Sequence, residues 1–436
     1  MALRRKSMYG LEIELFTLNN EGKLINAAPE ILKKVEGTNL GKYVKKEISK
    51  SMVELLAKEK LSVRESAYTF LENLEELVGI AEDMGYRLLP LGAHPGKVAP
   101  KLHTTEWYDA KKAVLGKDTY KEASICGFHF HYTLPEGIVQ KTTETIKKVG
   151  RSYARDIFLQ QYNFLAACDP AMITLCQSTP FWEGVHWAKD CRVLVYRDMK
   201  VTRGEDSMKG IHYTLPMFGG LPNYEFTLQD IRVMADAKKT QWLKLLEKND
   251  FPTNQIACFP SLKFMWGPLR VNKIGTFEYR GPDMNHPDVI FSTSRLLVYL
   301  LRRIEKMEIA VEPSDIGTDE PFVLEDNTIY VPPHSTLKNL ERQSVVHGFD
   351  SSSVHRYCSA LLALTDKLPG KPRFLSRVKE MVRKKKSVSD EILDIVRKNG
   401  YDPSDEVSDD MMNHVALFHA EKLSKSVGKI REKFKR

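Results

Sequence analysis

The sequence predicts an α+β fold built on a largely antiparallel sheet. Strand-like segments follow one another through short links, helical patterns gather in long blocks, and no repeat or low-complexity linker interrupts them. Residues 8–18 read as the first strand. Residues 45–59, KKEISKSMVELLAKE, read as a strand pair or one bulged strand. Residues 62–84 space their apolar side chains near the helical period and stop at Gly85, so they read as a helix. YRLLPLGAH (86–94) and SICGFHFHYTL (124–134) read as further strands, the second closed by Pro135. Residues 139–166, 228–248 and 288–308 read as helices, and IGTFEYRG (274–281) as a short strand ended by Gly281-Pro282. Beyond about residue 335 the pattern is helical and finishes in a polar, basic tail from 376. The expected division is residues 1–335 and a helical extension, 336–436.

Composition narrows the function classes. With 436 residues and 42% hydrophobic content, the chain can bury a large core. Its six cysteines are scattered with no CxxC pair, the pattern of reduced thiols in a cytoplasmic protein, and Cys168, Cys176 and Cys258 read as core residues. No apolar stretch is long enough to span a bilayer, and the basic start MALRRKSMYG lacks an apolar secretory segment. The net charge of +8 is uneven: residues 371–436 hold 17 Lys/Arg against 11 Asp/Glu, leaving the rest near neutral. Runs such as VRKKKS read as solvated helix ends, so neither a nucleic-acid nor a membrane partner is expected.

The chemistry-bearing residues sit on the strands. Glu12 and Glu14 in GLEIELF share one strand face, with Leu11, Ile13 and Leu15 on the other. His129 and His131 in GFHFHY, and Glu278 and Arg280 in GTFEYRG, repeat that spacing. Glu54 adds a further strand carboxylate, and Glu47 precedes it at an odd spacing that needs a bulge or bend to bring both to one face. Each pair alone fits a solvated face, and Arg280 alone fits a surface partner for Glu278. Their joint occurrence favours a shared site. Converging carboxylates need cations, and an oxygen-rich set favours Mg²⁺ or Mn²⁺ over Zn²⁺. No GxxxxGK[ST] loop is present, so a nucleotide would be held by metals and basic side chains.

The motifs GLEIELF, KSMVELL, GAHP, GFHFHY, STPFWEG and GTFEYRGPD occur in the order found in glutamate–cysteine ligases of the second type, the carboxylate–amine ligases. The resemblance runs from about residue 8 to 305. It implies a catalytic domain over 1–335 similar to that of glutamine synthetase: a curved, mainly antiparallel sheet flanked by helices, with the active site in its concave face. It also implies metal ligands at Glu12, Glu14, Glu47, Glu54, His129 and Glu278. Glu278 and Arg280 would be catalytic, with Arg280 steadying phosphoryl transfer. His129 and His131 would lie near the nucleotide, Arg270 of WGPLRV would suit a substrate carboxylate, and Arg197 would be a basic residue near the site.

The implied activity uses ATP and Mg²⁺ (Mn²⁺ being the alternative) to activate the γ-carboxylate of glutamate, or a related acid, as an acyl phosphate. An amine, cysteine in the parent activity, then displaces phosphate. Amino acids and ATP are the expected partners, and a homo-oligomer fits ligases of this fold. Ile13 interrupts the family's usual acidic run and Ala93 replaces a hydroxyl residue, which bears on acid and amine specificity. Three rival classes share some features: a guanidino-type phosphotransferase on the same fold, a metal-dependent amidohydrolase using the HxH pair, and a non-catalytic nucleotide-binding protein.

Overall fold

The computed structural model describes residues 8–57, 62–140, 142–147 and 150–435. The basic run at residues 4–6 and the end of the 45–59 segment lie outside the described residues.

The main sheet contains β1 (Tyr9–Leu18), β2 (Val44–Lys46), β3 (Met52–Leu56), β4 (Arg87–Leu89), β5 (Phe128–Thr133), β6 (Leu269–Asn272) and β7 (Thr276–Tyr279). Its order is β6-β7-β5-β1-β3-β2, with β4 paired to the end of β1. Every pairing is antiparallel. The long β1 is therefore central: Phe16 lies opposite Met52 on one side and Leu89 on the other.

Strand alternation then decides the faces. Leu11, Ile13, Val53, Leu55, Phe128, Phe130, Tyr132, Phe277 and Tyr279 are all buried in one continuous core. Burying each large apolar side chain contributes roughly 1.5–3 kcal/mol relative to exposure. Helices contribute to the same core: α1 (Val63–Asp83), α2 (Tyr153–Cys176), α3 (Leu228–Lys248), α4 (Pro287–Met307), α5 (His334–His347), α6 (Ser352–Lys367), α7 (Ser376–Lys384), α8 (Val388–Lys398) and α9 (Asp409–Lys433). Of these, α4 packs on α2 and β5, while α9 lies along α1 and β4. Side-chain caps start many of them: Ser62 accepts from Glu65 N, Ser152 from Arg155 N, and Thr227 and Ser387 form capping boxes. Just beyond α1, Gly85 takes φ +79°, the left-handed conformation that ends a helix most readily with glycine.

The α+β expectation with a mainly antiparallel sheet holds, with three corrections. The first part of the segment expected to be helical over 139–166 is a small hairpin, Val139–Gln140 with Thr145–Ile146; helix begins at Tyr153. Glu144 there has φ +50°, a tight-turn conformation that a continuous helix does not contain. A three-stranded sheet, Ala310–Pro313, Val323–Glu325 and Thr328–Val331, was not expected from the sequence. Finally, the residues from 376 onward are helical as expected but are not a polar tail. Met381, Leu393, Val396, Met412, Val415 and Leu423 join the main core, and the lysines and arginines occupy the outer faces of amphipathic helices.

Candidate active site

Register places the polar residues in rows on the sheet face opposite the apolar core. Glu14 lies directly opposite Glu54, Glu12 opposite His129, His131 opposite Glu278, and Glu278 opposite Arg270. Directly opposed residues project to the same face, so four pairings bring seven side chains from five strands together. The bend needed for Glu47 is present: β2 ends at Lys46 and β3 begins at Met52, so Glu47 lies in the intervening turn. It lines the same cleft as Glu14, His129 and Arg280.

His129 is the hub. Its Nδ1 is 3.1 Å from Glu12 Oε2 and 3.9 Å from Glu278 Oε1, and its Nε2 is 3.5 Å from Glu14 Oε1. His131 Nε2 lies 3.2 Å from Glu12 Oε1, while its Nδ1 is 3.0 Å from the Thr276 hydroxyl. The Gly127 amide donates to Glu14 at 2.6 Å. At the other end, Arg270 Nε and Asn272 Nδ2 donate to Glu278 Oε2 at 2.6 and 2.5 Å, and Arg280 approaches Oε1 at 3.3 Å.

The charge balance changes across the face. Burial acts to raise Glu278, but Arg270 and Arg280 outweigh it and hold the carboxyl at about 2. Burial likewise opposes ionisation of Glu12, yet hydrogen bonds from His129 and His131 keep it well below its ordinary value. His131 responds in turn: burial would lower it, and Glu12 raises it. The β2–β3 side differs. Burial raises Glu54 well above the usual carboxylate range, and Glu47, Glu12 and Glu14 push it further. Burial and then Glu14 raise Glu47 to about 8. Lys45 is the cross-strand neighbour of Glu54, but it is exposed. Among the described residues no ion pair reaches Glu47 or Glu54.

That donor set fits hard divalent cations. Glu12, Glu54 and His129 can bring one ligand atom each within 4.8 Å of one another, as can Glu12, His131 and Glu278. Glu12 joins both groups. Carboxylates that burial and mutual repulsion hold protonated are the feature that a cation would relieve.

Beside the face opens a cleft lined by Glu14, Glu47, His129, Arg192, Arg280 and Tyr196 among others. Two further residues at its wall, Lys111 and Glu122, are an ion pair. Arg192, which the sequence reading did not single out, donates to the Gly281 carbonyl at 2.9 Å and so braces the segment after Arg280. Asp283 accepts from Ser178 N and the Thr179 hydroxyl, at 2.9 and 2.8 Å, tying STPFWEG to GTFEYRGPD. The available sequence signal for Arg192 was its place shortly after STPFWEG. Arg197 reaches the cleft wall, but its guanidinium is engaged by Asp169 and Glu341, at 2.5 Å each, and the residue is 1% exposed. Arg270 faces Glu278 and a separate hollow lined by Phe259, Lys263 and Lys273.

Comparison with known proteins gives a family match over part of the chain and a fold. Residues 8–205 match the model of glutamate-cysteine ligase family 2 (GCS2), so the resemblance read from the motifs holds over that span. Glu12, Glu14, Glu47, Glu54, His129, His131 and STPFWEG fall inside the match; Arg270, Glu278 and Arg280 lie beyond it. Among solved structures, glutamate–cysteine ligase from Francisella tularensis in complex with AMP is similar at TM-score 0.58 and 12% identity, over 98% of this chain and 92% of that one. A bifunctional glutathione synthetase from Pasteurella multocida gives TM-score 0.58 and 11% identity, covering 97% of this chain. The chain spans about half, 52%, of that second protein. At such identities the likeness is one of fold. Comparison with curated proteins finds no match.

Proposed function

We propose that this chain, which matches glutamate-cysteine ligase family 2 over residues 8–205, is an ATP- and Mg²⁺-dependent carboxylate–amine ligase. The observation that carries the reading is the row of carboxylates and imidazoles on one sheet face, ending at the Arg270–Glu278–Arg280 group beside a cleft. The acid substrate is glutamate or a relative, and the amine is cysteine or a relative.

Glu12, Glu54 and His129, with Glu12, His131 and Glu278, would hold the divalent ions, and Glu14 and Glu47 extend the anionic wall. Divalent ions held by these residues would supply positive charge beside the phosphate oxygens of ATP. Arg280 adds a fixed positive charge at the cleft, aimed by Glu278 and braced through Gly281 by Arg192. A guanidinium so held needs little reorganisation as negative charge develops on a transferring phosphoryl group. The carboxylate oxygen attacks the γ-phosphorus and ADP leaves. A neutral amine then attacks the carbonyl carbon, phosphate leaves with the oxygen it acquired, and the amine loses a proton as the amide forms. Arg192 gives the cleft a further cationic group that suits an acidic substrate.

Phosphate release from ATP with glutamate alone, with amines alone and with acid–amine pairs tests the proposal. Release that requires both an acid and an amine supports it. Phosphoryl transfer to a guanidino compound with no amide product sinks it in favour of the phosphotransferase reading.

A further inference from the structure

The helix α3 carries one residue of the wrong chemistry for its place. Its buried stripe runs Leu228, Ile231, Ala235, Lys238, Trp242, Leu246, the spacing of a core-facing helix surface with a lysine in the middle. Lys238 is only 7% exposed. Lysine is almost never this deeply buried without a partner. Yet among the described residues no hydrogen bond or ion pair involves its side chain. Glu225 supplies the nearest countercharge felt by the amine but lies outside ion-pair range.

The residue lines a cleft of about 340 Å³, distinct from the one beside the carboxylate face. Met217, Leu221, Met234 and Leu269 give that cleft apolar walls. Its other charged groups neutralise each other, since Lys338 pairs with Asp198 at 2.9 Å. That leaves a single desolvated ammonium in a mainly apolar hollow. Burial lowers its pKa to about 8, which still leaves it mostly cationic near neutral pH.

We propose that the Lys238 cleft is a second small-molecule site, which takes a monocarboxylate with an apolar tail. One ammonium matches one carboxylate, and a buried charge gains most from a countercharge that arrives already partly desolvated. A phosphate dianion would want further cations, and beside the one unpaired ammonium the cleft adds the side chains of Asn223 and His334 and the Lys338–Asp198 pair. Gly267 lines both this cleft and the catalytic one, so the occupant adjoins the wall of the ligase site without sharing its carboxylates or arginines.

The test is calorimetric titration of the full chain with butyrate, hexanoate and octanoate, and with hexanol, hexylamine and inorganic phosphate, against Lys238→Met and Lys238→Arg. Methionine suits the apolar stripe, and a thermal melt checks that both variants fold. Affinity should rise with tail length among the carboxylates and be absent for hexanol, hexylamine and phosphate. Lys238→Met should weaken hexanoate by roughly tenfold or more, while Lys238→Arg retains part of the affinity. Equal binding to wild type and Lys238→Met overturns the proposal, as does no carboxylate binding at all. Neither result depends on whether the protein joins an acid to an amine, because the readout is binding without ATP.

Discussion

Glu14 on β1 and Glu54 on β3 are direct cross-strand partners, two carboxylates facing each other on one sheet face. Like charges so placed destabilise a sheet, and burial raises Glu54 further out of the carboxylate range. The pair works against the stability of the metal-free fold. Glu54→Gln should therefore stabilise the metal-free protein by roughly 1 kcal/mol while lowering ligase turnover roughly a hundredfold. Thermal melts with chelator, alongside steady-state rates, check both halves. A destabilised Gln variant would mean that Glu54 is a structural acceptor.

The same carboxylates set a pH dependence. Glu47 and Glu54 have folded-state pKa values above their unfolded ones, Glu47 at about 8. The folded state then binds more protons, so their contribution is fully present below the unfolded value of about 4.3 and is lost as pH rises through the folded one. Without metal, stability should fall between about pH 5 and pH 8 from this source, and Mg²⁺ or Mn²⁺ should remove the slope. The melting-temperature gain on adding metal should accordingly be larger at about pH 8 than at about pH 5.5. An equal gain at both pH values would separate the metal from these carboxylates.

A second buried pair works in the opposite sense. His286 Nε2 lies 2.9 Å from His419 Nδ1, joining the segment before α4 to α9. Burial lowers His419 to about 3 and His286 well below its ordinary value. The unfolded chain takes up protons first, so stability is lost as pH falls below the unfolded histidine value of about 6.5. Urea denaturation should show His419→Asn losing less stability than wild type between about pH 7 and pH 5. Parallel losses would exclude the pair as a source of acid sensitivity.

Arg197 separates bracing from binding. It holds Asp169 and Glu341 in a buried group, and the Tyr279 hydroxyl also donates to Asp169 at 2.8 Å. Arg197→Met strands two buried carboxylates and should cost about 3–5 kcal/mol in denaturant unfolding. Were the residue a substrate contact instead, Arg197→Lys would raise KM with the unfolding midpoint unchanged.

The carboxylate face was largely legible because strand periodicity alone sorts Glu12, Glu14, His129 and His131 onto single faces. What periodicity cannot give is register. Nothing local says that Glu54 stands against Glu14, or that His131 stands against Glu278, which is 147 positions later by residue number. The engagement of Arg197 was unreadable for a related reason, since both its partners, Asp169 and Glu341, are remote in the chain. Val139 and Ile146 imitate a helical spacing, and only the turn at Glu144 turns them into a hairpin. The basic composition after residue 376 hid the apolar faces of α7, α8 and α9, which pack inward.

The central claim is that this chain activates a carboxylate with ATP, and oxygen transfer tests it most directly. Glutamate labelled with ¹⁸O in its γ-carboxylate, supplied with ATP, Mg²⁺ and cysteine, should pass one labelled oxygen into the released phosphate at each turnover, with the amide retaining the other. Phosphate released without label would show that the acid oxygen never bonds to phosphorus, and would contradict the account.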